Sequence, residues 1–433
     1  MTSSPLHRST SRRAVMAGAL AGTAALALAH RAEPARAVPG RPARADHVVL
    51  IGWDGFDPAY YGLAPTPNLD RLIALGSRST TQGVMTSITN PSWSSVATGA
   101  WPERHLNTAY WYDPELGTGR GQMRDLTVPT IAHAVRDAGG TVASAQWFIL
   151  QNYGTAYGDP EGLYMQNGGA ERRFNDMIDV IEGRPVKSGS AMVTAPRIPD
   201  FMAVYCDNLD ALGHGGGEHN PELPAALVML DANLGRLIAA LEKAGIFDRT
   251  AFVLQGDHGM TTFTRANGQQ ILDAIAATGH TGEFLGNGQV PSAGTDVVLV
   301  VGGAASVHLL TDSARADLRR IQRAIARVEG VAGVYDKGWQ RANHMSSRHG
   351  ELIIDPADDW SLGLNPPASP VGRHGSTADC EAFFMIGGCG IVPGRQTRNV
   401  RHVDVAPTMA ALLGIPAPSG AQGRVLNEVI ARP

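Results

Sequence analysis

An aspartate and a histidine stand side by side between two glycines in the segment GDHGM, residues 256–260. The segment follows the apolar run TAFVLQ, which predicts a buried β-strand. Neighbouring side chains of a regular strand point to opposite faces, so Asp257 and His258 can converge on one ligand only where the strand has ended and the chain turns. A carboxylate and an imidazole that converge in this way suit a small cation.

Further acids and histidines occupy similar positions along the chain. Asp54 follows the apolar run HVVLIGW, Asp210 and His214 belong to DALGH, and His374 lies in GRHGS. Together with the first pair they give three carboxylates and three imidazoles, enough for two ions. This mixed set suits zinc or manganese better than calcium or magnesium, which favour oxygen ligands. Each side chain alone is more often a turn former, a cap or a packed residue, so the prediction rests on the set.

A hydroxyl nucleophile is available in the segment SITNPSWSSVATGAWPERH, residues 87–105. Thr89 precedes Asn90 and Pro91, so the chain turns there, and Pro91 suits the first position of a helix PSWSSVATGA. Backbone N–H groups at a helix start favour anions, and a neighbouring metal ion can lower the pKa of a threonine hydroxyl enough to form an alkoxide. Thr89 is therefore the candidate nucleophile, whereas without metal ions a role as helix cap is the better interpretation.

Strands and helices alternate around these residues. The apolar runs HVVLIGW, DFMAVYC and TAFVLQ predict strands that end near aspartates, and TPNLDRLIALG predicts a helix closed by Gly76. Residues 221–245 place leucines at three- and four-residue spacing, which predicts a helix packed on a sheet. This alternation favours an α/β fold with a largely parallel sheet, in which functional residues collect beyond the carboxyl ends of the strands.

Three stretches fit that alternation less well, at about 150–197, 262–295 and 336–370. We interpret them as insertions over the active-site face, because long loops in a compact domain are usually functional or disordered. Residues 316–338 predict a helix followed by a short strand, in a small second subdomain.

The N-terminal segment indicates where the protein works. It has a basic, hydroxyl-rich start, a twin arginine at positions 12–13 and an apolar stretch over 14–29. These features are typical of a Tat-type export signal, with cleavage expected after Ala37, a linker over 38–45 and a catalytic domain over 46–433. The apolar stretch is shorter than the roughly 20 residues that a membrane-spanning helix needs. We expect a soluble periplasmic or extracellular protein.

Composition excludes several classes of function. The formal net charge is -4 and the 36 basic residues are scattered, so neither a nucleic-acid-binding surface nor a polybasic membrane patch is expected. No stretch of the mature chain is apolar enough to predict a membrane span. The 3 cysteines are too few for a disulfide scaffold, and a Cys380–Cys389 bridge, left open by the sequence, would leave Cys206 unpaired.

Six motifs occur in a fixed order between about residues 47 and 418. They are DG after the first strand, T-x-P followed by TG-x-x-P-x-x-H, D-x-x-G-H, DHGM, HG and VDVAPTMAALLGI. In this order they resemble the type I phosphodiesterase/nucleotide pyrophosphatase family of the alkaline phosphatase superfamily. The resemblance implies an alkaline-phosphatase-like α/β/α sandwich with two zinc ions. It implies one ion bound by Asp210, His214 and His374 and another by Asp54, Thr89, Asp257 and His258.

The resemblance also implies a reaction. Thr89 would attack a phosphate ester or nucleotide to give a phosphothreonine intermediate, which water then hydrolyses. The family usually carries an asparagine after the proline, where this chain has Ser92. Ser92, or Asn90 from the other side, is expected to take over part of its contact with the phosphoryl oxygen. With this departure, phosphodiesters remain the favoured substrates, and phosphomonoesters remain an alternative.

Other activities remain as alternatives. The run TNP also resembles phosphonoacetate hydrolase, which needs cationic residues for its substrate, typically lysines, and the only lysines are Lys187, Lys243 and Lys337. Cofactor-independent phosphoglycerate mutases share the metal chemistry, but an export signal argues against their cytosolic substrates. A decayed protein that only binds metal would be expected to have lost ligands or nucleophile, and all seven positions are present.

Overall fold

The computed structural model describes residues 43–432 of the chain. The strands are β1 His47–Trp53, β2 Gly76–Gln82, β3 Trp111–Asp113, β4 Thr118–Arg120, β5 Val142–Ala145, β6 Gly162–Met165, β7 Val186–Ser188, β8 Ala191–Val193, β9 Phe201–Cys206, β10 Thr250–Gln255, β11 Thr261–Ala266, β12 Gly282–Phe284, β13 Val297–Gly302, β14 Ala304–Leu309, β15 Val331–Asp336, β16 Leu352–Pro356, β17 Asp359–Ser361, β18 Val371–Arg373, β19 Glu381–Gly388 and β20 Val400–Arg401. The α-helices are α1 Pro67–Ala74, α2 Thr89–Thr98, α3 Pro102–His105, α4 Ile131–Asp137, α5 Ala170–Ile181, α6 Asn208–Gly216, α7 Leu223–Lys243, α8 Gly268–Ala276, α9 Asp312–Ala316, α10 Leu318–Ile325, α11 Lys337–Ala342 and α12 Val405–Leu412. The export signal, its cleavage after Ala37 and most of the linker lie outside the described residues.

The main sheet confirms the predicted α/β class. Its strand order is β20-β2-β19-β10-β1-β9-β5-β6. Only β19 runs against its neighbours among these strands, so the sheet is largely parallel. Every residue of β1, β9 and β10 is buried. Strands buried on both faces are continuously apolar, which is why these runs could be recognised in the sequence.

Helices cover both faces of this sheet. Val49 and Ile51 of β1 belong to a core shared with α1, α5 and α7. Val48 and Leu50, which point the other way, belong to a core shared with α2, α4 and α12. The fold is therefore the predicted α/β/α sandwich.

Helix α7 lies within the predicted range 221–245. By length and composition alone it could cross a membrane. Its side chains Leu227, Leu234 and Leu241 are fully buried in the protein core, as expected for a helix packed on a sheet. The predicted helix before Gly76 ends at Ala74, and Gly76 instead begins β2. A Cβ at Gly76 would lie 2.0 Å from the carbonyl oxygen of Ile386, so glycine permits the close approach of β2 to β19.

A second, five-stranded sheet has the order β12-β13-β14-β16-β15. Helix α10 and strand β15 confirm the helix and short strand predicted within 316–338. The three stretches expected to be insertions contain regular elements of their own: β6, α5, β7 and β8 in the first, most of β11 with α8 and β12 in the second, and α11, β16 and β17 in the third.

All three cysteines are free thiols, so the bridge left open by the sequence is not formed. The Cys380 Sγ lies 3.5 Å from the carbonyl oxygen of Ser376, whereas the Cys389 Sγ lies 3.1 Å from that of Arg44. Burial raises the pKa of the Cys206 thiol to about 12. Cys206 is therefore an inert core residue.

Candidate active site

The carboxyl ends of three neighbouring strands bring the predicted acids together. Strand β1 lies between β9 and β10 and is parallel to both, so the chain leaves all three at one edge of the sheet. Asp54 follows β1, Asp257 follows β10, and Asp210 lies in the first turn of α6, directly after β9. Ligand sites of parallel α/β sheets occur at this edge.

Asp210, His214 and His374 form one group whose ligand atoms all lie within 4.8 Å of one another. The Nε2 atoms of His214 and His374 are 3.3 Å and 3.5 Å from the Asp210 Oδ1 atom. Asp210 and His214 are one turn apart on α6, and His374 follows β18. These are the three residues predicted to bind one ion.

The remaining predicted ligands lie around His258. Its Nε2 atom is 3.3 Å from Asp54 Oδ1, 3.5 Å from Asp257 Oδ2 and 3.3 Å from the Thr89 hydroxyl. The same Nε2 lies 3.8 Å from Asp210 Oδ1, and Asp54, Asp210 and His258 also satisfy the spacing for one ion. Asp210 thus lies between the two groups, which form one continuous centre.

The three histidines are oriented by backbone carbonyl groups. The Nδ1 atom of His214 lies 3.1 Å from the carbonyl oxygen of Gly372. That of His258 lies 2.9 Å from the carbonyl oxygen of Gly259, and that of His374 lies 2.9 Å from the carbonyl oxygen of Ser87. With the proton on Nδ1, each ring donates to its carbonyl and directs the lone pair of Nε2 into the centre. Metal-binding histidines in proteins are held by this kind of contact.

One oxygen of each acid is buried and makes no hydrogen bond within residues 43–432: Asp54 Oδ1, Asp210 Oδ1 and Asp257 Oδ2. A buried carboxylate oxygen without a partner costs free energy, and a divalent cation would remove that cost. The mixture of carboxylate and imidazole ligands suits zinc. The residues therefore fit a metal centre.

The acids strongly perturb one another when no cation is present. Burial, followed by Asp54, raises the pKa of Asp210 to about 6 and that of Asp257 well above its usual value. Burial alone would lower the pKa of His258, but Asp257 and Asp54 raise it to about 10. Burial and His258 lower the pKa of His374 well below its usual value. The centre has excess negative charge beside His258, which a cation would neutralise.

Two side chains fix the orientation of Asp54. Its Oδ2 atom accepts hydrogen bonds from Trp93 Nε1 at 3.2 Å and from the Tyr205 hydroxyl at 2.5 Å, which leaves Oδ1 to face His258. Burial, followed by Asp54, raises the pKa of Tyr205 well above its usual value, so the phenol stays protonated and donates. Tyr205 is therefore a positioning residue for Asp54.

The variant Tyr205→Phe is expected to bind zinc about tenfold more weakly, because contacts that orient a ligand contribute about 10–100-fold to metal affinity. Zinc affinity would be measured by competition with a chromophoric chelator. Tyr157→Phe is the control, since the Tyr157 hydroxyl contacts Gln166 outside the centre. Equal affinities of wild type and Tyr205→Phe would contradict this role.

Thr89 is the first residue of α2, and Ile88 is the N-cap. The helix thus begins two residues before the predicted position, Pro91. A proline is tolerated anywhere in the first turn, because its missing N–H would have no intrahelical partner there. The helix start has no side-chain cap hydrogen bond, so the interpretation of Thr89 as a cap is wrong. Its hydroxyl faces His258 instead.

Asn90 and Ser92, the residues predicted to contact substrate, are placed differently from one another. Asn90 lines the cleft above Thr89, and its side-chain amide donates to the carbonyl oxygen of Met123. Ser92 is fully buried and is absent from the cleft wall. The structure brings Asn90 to the centre and leaves Ser92 inside the protein core.

The cleft over the centre has a volume of about 430 Å³. Besides the predicted residues, its wall includes Gln122, Arg124, Phe148, Tyr205 and Asp207. Sequence reasoning missed these residues. Gln122 and Arg124 lie in a polar segment without periodicity. Tyr205 belongs to the buried strand β9, and only its contact with Asp54 gives it a role in the centre.

Comparisons with known proteins identify relatives of this chain. The model of a family described as type I phosphodiesterase / nucleotide pyrophosphatase matches residues 48–377. A bis(5'-adenosyl)-triphosphatase of Xenopus laevis is 23% identical over 383 residues, which cover 85% of this chain and 78% of the relative. Alkaline phosphatase PhoV of Synechococcus elongatus is 23% identical over 256 residues, 53% of this chain and 45% of the relative.

Solved structures show the same fold. Human ectonucleotide pyrophosphatase / phosphodiesterase 5 matches with a TM-score of 0.66 at 19% sequence identity, over 86% of this chain and 96% of that chain. An inactive variant of the murine protein in complex with AMP also matches with a TM-score of 0.66, at 17% identity, over 86% of this chain and 96% of that chain. The likeness extends over nearly the whole of those chains.

Proposed function

The chain belongs to the type I phosphodiesterase / nucleotide pyrophosphatase family, and from this membership we propose that it is an exported two-metal phosphodiesterase with a threonine nucleophile. That it hydrolyses phosphoric esters follows from the family itself. The finer proposal is that it cleaves small phosphodiesters or nucleotides through a phosphothreonine intermediate. Its catalytic domain would begin at residue 46, after removal of a Tat-type signal at Ala37.

One observation carries the proposal. Three carboxylates with an unpartnered buried oxygen lie beside Thr89, whose hydroxyl is 3.3 Å from His258 Nε2. Two zinc ions could be held by the residues Asp210, His214 and His374 and by Asp54, Thr89, Asp257 and His258. When bound, such ions stabilise negative charge on phosphoryl oxygens and lower the pKa of a neighbouring hydroxyl.

The residues of the chain supply the remaining chemistry. The Thr89 hydroxyl releases its proton to solvent, its Oγ1 atom forms a bond to phosphorus, and the bond from phosphorus to the departing oxygen breaks. The product is a phosphothreonine that keeps the second ester group of a diester. Attack by water on this phosphothreonine then releases the phosphate product and restores the hydroxyl. Thr89 begins α2, so the partial positive charge of the helix N-terminus lies next to the reacting phosphate.

Two aromatic residues of the cleft support nucleotides as substrates. Phe148 and Tyr205 meet edge to face with ring centroids 5.3 Å apart, and both line the cleft. An aromatic surface next to a phosphate site suits a nucleobase. The relative from Xenopus laevis is named for a dinucleoside triphosphate, and the murine neighbour was solved with AMP.

The phosphonate alternative lacks support from the cleft. None of the lysines at positions 187, 243 and 337 lines it. Lys243 pairs with Glu182 at 2.8 Å, and Lys337 donates to the carbonyl oxygen of His349. We therefore prefer phosphate esters to phosphonates as substrates.

The proposal is tested with the purified mature protein loaded with zinc. We expect a higher kcat/KM for bis(p-nitrophenyl) phosphate and for the p-nitrophenyl ester of thymidine monophosphate than for p-nitrophenyl phosphate or phosphonoacetate. Release of nitrophenol or of inorganic phosphate is the measurement, and heat-treated enzyme is the control. Turnover of phosphonoacetate alone, or of no ester at all with zinc bound, would contradict the proposal.

A further inference from the structure

One wall of the cleft is formed by the loop 121–125, which carries Arg124. Among the described residues, Arg124 is the only cationic side chain that lines the cleft. The other charged lining residues, Asp54, Asp207 and Asp210, are acids. Asp54 and Asp210 belong to the metal centre. Arg124 therefore gives the cleft a positive charge that does not come from a metal ion.

The loop is fixed to the helix that carries the nucleophile. The backbone N–H of Asn90 donates to Gln122 Oε1 at 3.3 Å, and the Asn90 side chain donates to the carbonyl oxygen of Met123. At the start of the loop, the N–H of Gly121 donates to Asn287 Oδ1 at 3.0 Å. These bonds hold the loop against the residue that follows Thr89, and Arg124 and Thr89 both line the cleft.

The charge of Arg124 is not neutralised by the protein. Its Nη1 atom donates to the neutral amide of Gln151 at 2.9 Å, and it forms no ion pair with any acid in residues 43–432. Asp207, the one cleft acid outside the metal set, is paired with Arg173 at 2.9 Å. A guanidinium group has five N–H donors, so Arg124 retains donors for an anion in the cleft.

We propose that Arg124 is a specificity-determining residue that recognises a second negative charge on the substrate, an inference that rests on the proposed function of the same site. A phosphodiester has two unesterified oxygens on phosphorus, whereas a monoester has three and a nucleoside polyphosphate has further phosphates. The positive charge of the guanidinium group attracts a dianionic monoester or a polyphosphate more strongly than a diester with one charge. The cleft is thus built to accept dianionic phosphates in addition to diesters.

The test compares wild type with Arg124→Ala, both loaded with zinc, on three substrates. Bis(p-nitrophenyl) phosphate carries one charge, p-nitrophenyl phosphate has a second charge on the transferred group, and ATP has further charges on the leaving group. We expect kcat/KM for p-nitrophenyl phosphate, for ATP or for both to fall about 10–100-fold, and that for the diester to change less than about threefold. A fall for only one of them identifies which phosphate Arg124 binds.

Two controls separate this role from a general effect. Arg398→Ala removes an exposed arginine outside the cleft and should leave all three rates unchanged. Arg124→Lys keeps the charge and should restore part of the lost rate. An equal fall for all three substrates, or no change for any, overturns the inference while diester hydrolysis by wild type still supports the proposed function. If zinc-loaded wild type hydrolyses none of the three, the proposed function fails and the inference fails with it.

Discussion

Replacing Thr89 with alanine is expected to lower kcat/KM for bis(p-nitrophenyl) phosphate by at least about a thousandfold, because loss of a covalent nucleophile removes the whole two-step pathway. The change should have little effect on folding, since no side-chain cap hydrogen bond is made at the start of α2. The measurement is the steady-state rate together with the zinc content of each protein.

Thr89→Ser is the matched control, because it keeps a hydroxyl on the Cβ atom. It should retain activity well above that of the alanine variant. Acid-quenched wild type, sampled during turnover of this diester, should carry a p-nitrophenyl phosphate group on Thr89, and the alanine variant should carry none. A Thr89→Ala protein that keeps its rate with zinc bound would contradict the threonine mechanism. Ser92 could not then replace Thr89, because it is fully buried.

The central sheet and the residues of the candidate metal centre could be predicted from the sequence because their signals are local. A strand buried on both faces is a continuous apolar run, as in β1 and β10. Asp54 and Asp257 come directly after such runs, and parallel strands bring their ends to one edge. His374 follows the short strand β18 and was identified by its motif, with no strand signal in the sequence.

The walls of the cleft could not be predicted in the same way. Arg124 lies in an irregular loop, and its place follows from two hydrogen bonds between Asn90 and residues 122 and 123. Such contacts join segments more than thirty residues apart and leave no periodic pattern. The roles of Asn90 and Ser92 differ for a similar reason. They are two positions apart on α2, and only packing decides which of them faces the cleft.

The start of α2 illustrates a smaller limit of prediction from the sequence. Pro91 marked the beginning of the helix correctly to within two residues, but a proline fits every position of the first turn. The sequence therefore could not decide between Thr89 as cap and Thr89 as the first helical residue. The structure makes it the first helical residue, and this changes its role because its hydroxyl is directed at His258.

Removal of the metal ions is expected to abolish activity and to lower the melting temperature by on the order of 10 °C, because bound ions stabilise only the folded state. Dialysis against a chelator, followed by calorimetry and rate assays, is the measurement. Zinc added back should restore both properties, whereas magnesium should restore less, since it disfavours imidazole ligands. Full activity after verified removal of metal would contradict the two-metal mechanism.

The metal-free protein should also become less stable as the pH rises from 7 to 9. Burial alone would lower the pKa of His258, but Asp257 and Asp54 raise it to about 10. In this range the folded state therefore keeps a proton on His258 that the unfolded state has released. Stability then falls with pH, by at most about 1.4 kcal/mol per pH unit for each proton. The pKa of His374 lies well below its usual value, so this group affects stability only at pH values below this range.

Zinc should reverse this dependence, because metal ligands must be deprotonated and affinity rises with pH. The difference in melting temperature between zinc-loaded and metal-free protein is thus expected to widen from pH 7 to pH 9. In His258→Asn the metal-free protein should lose most of the slope, since the proton held by the imidazole is gone. A difference that stays constant with pH would show that no cation competes with a proton at this centre.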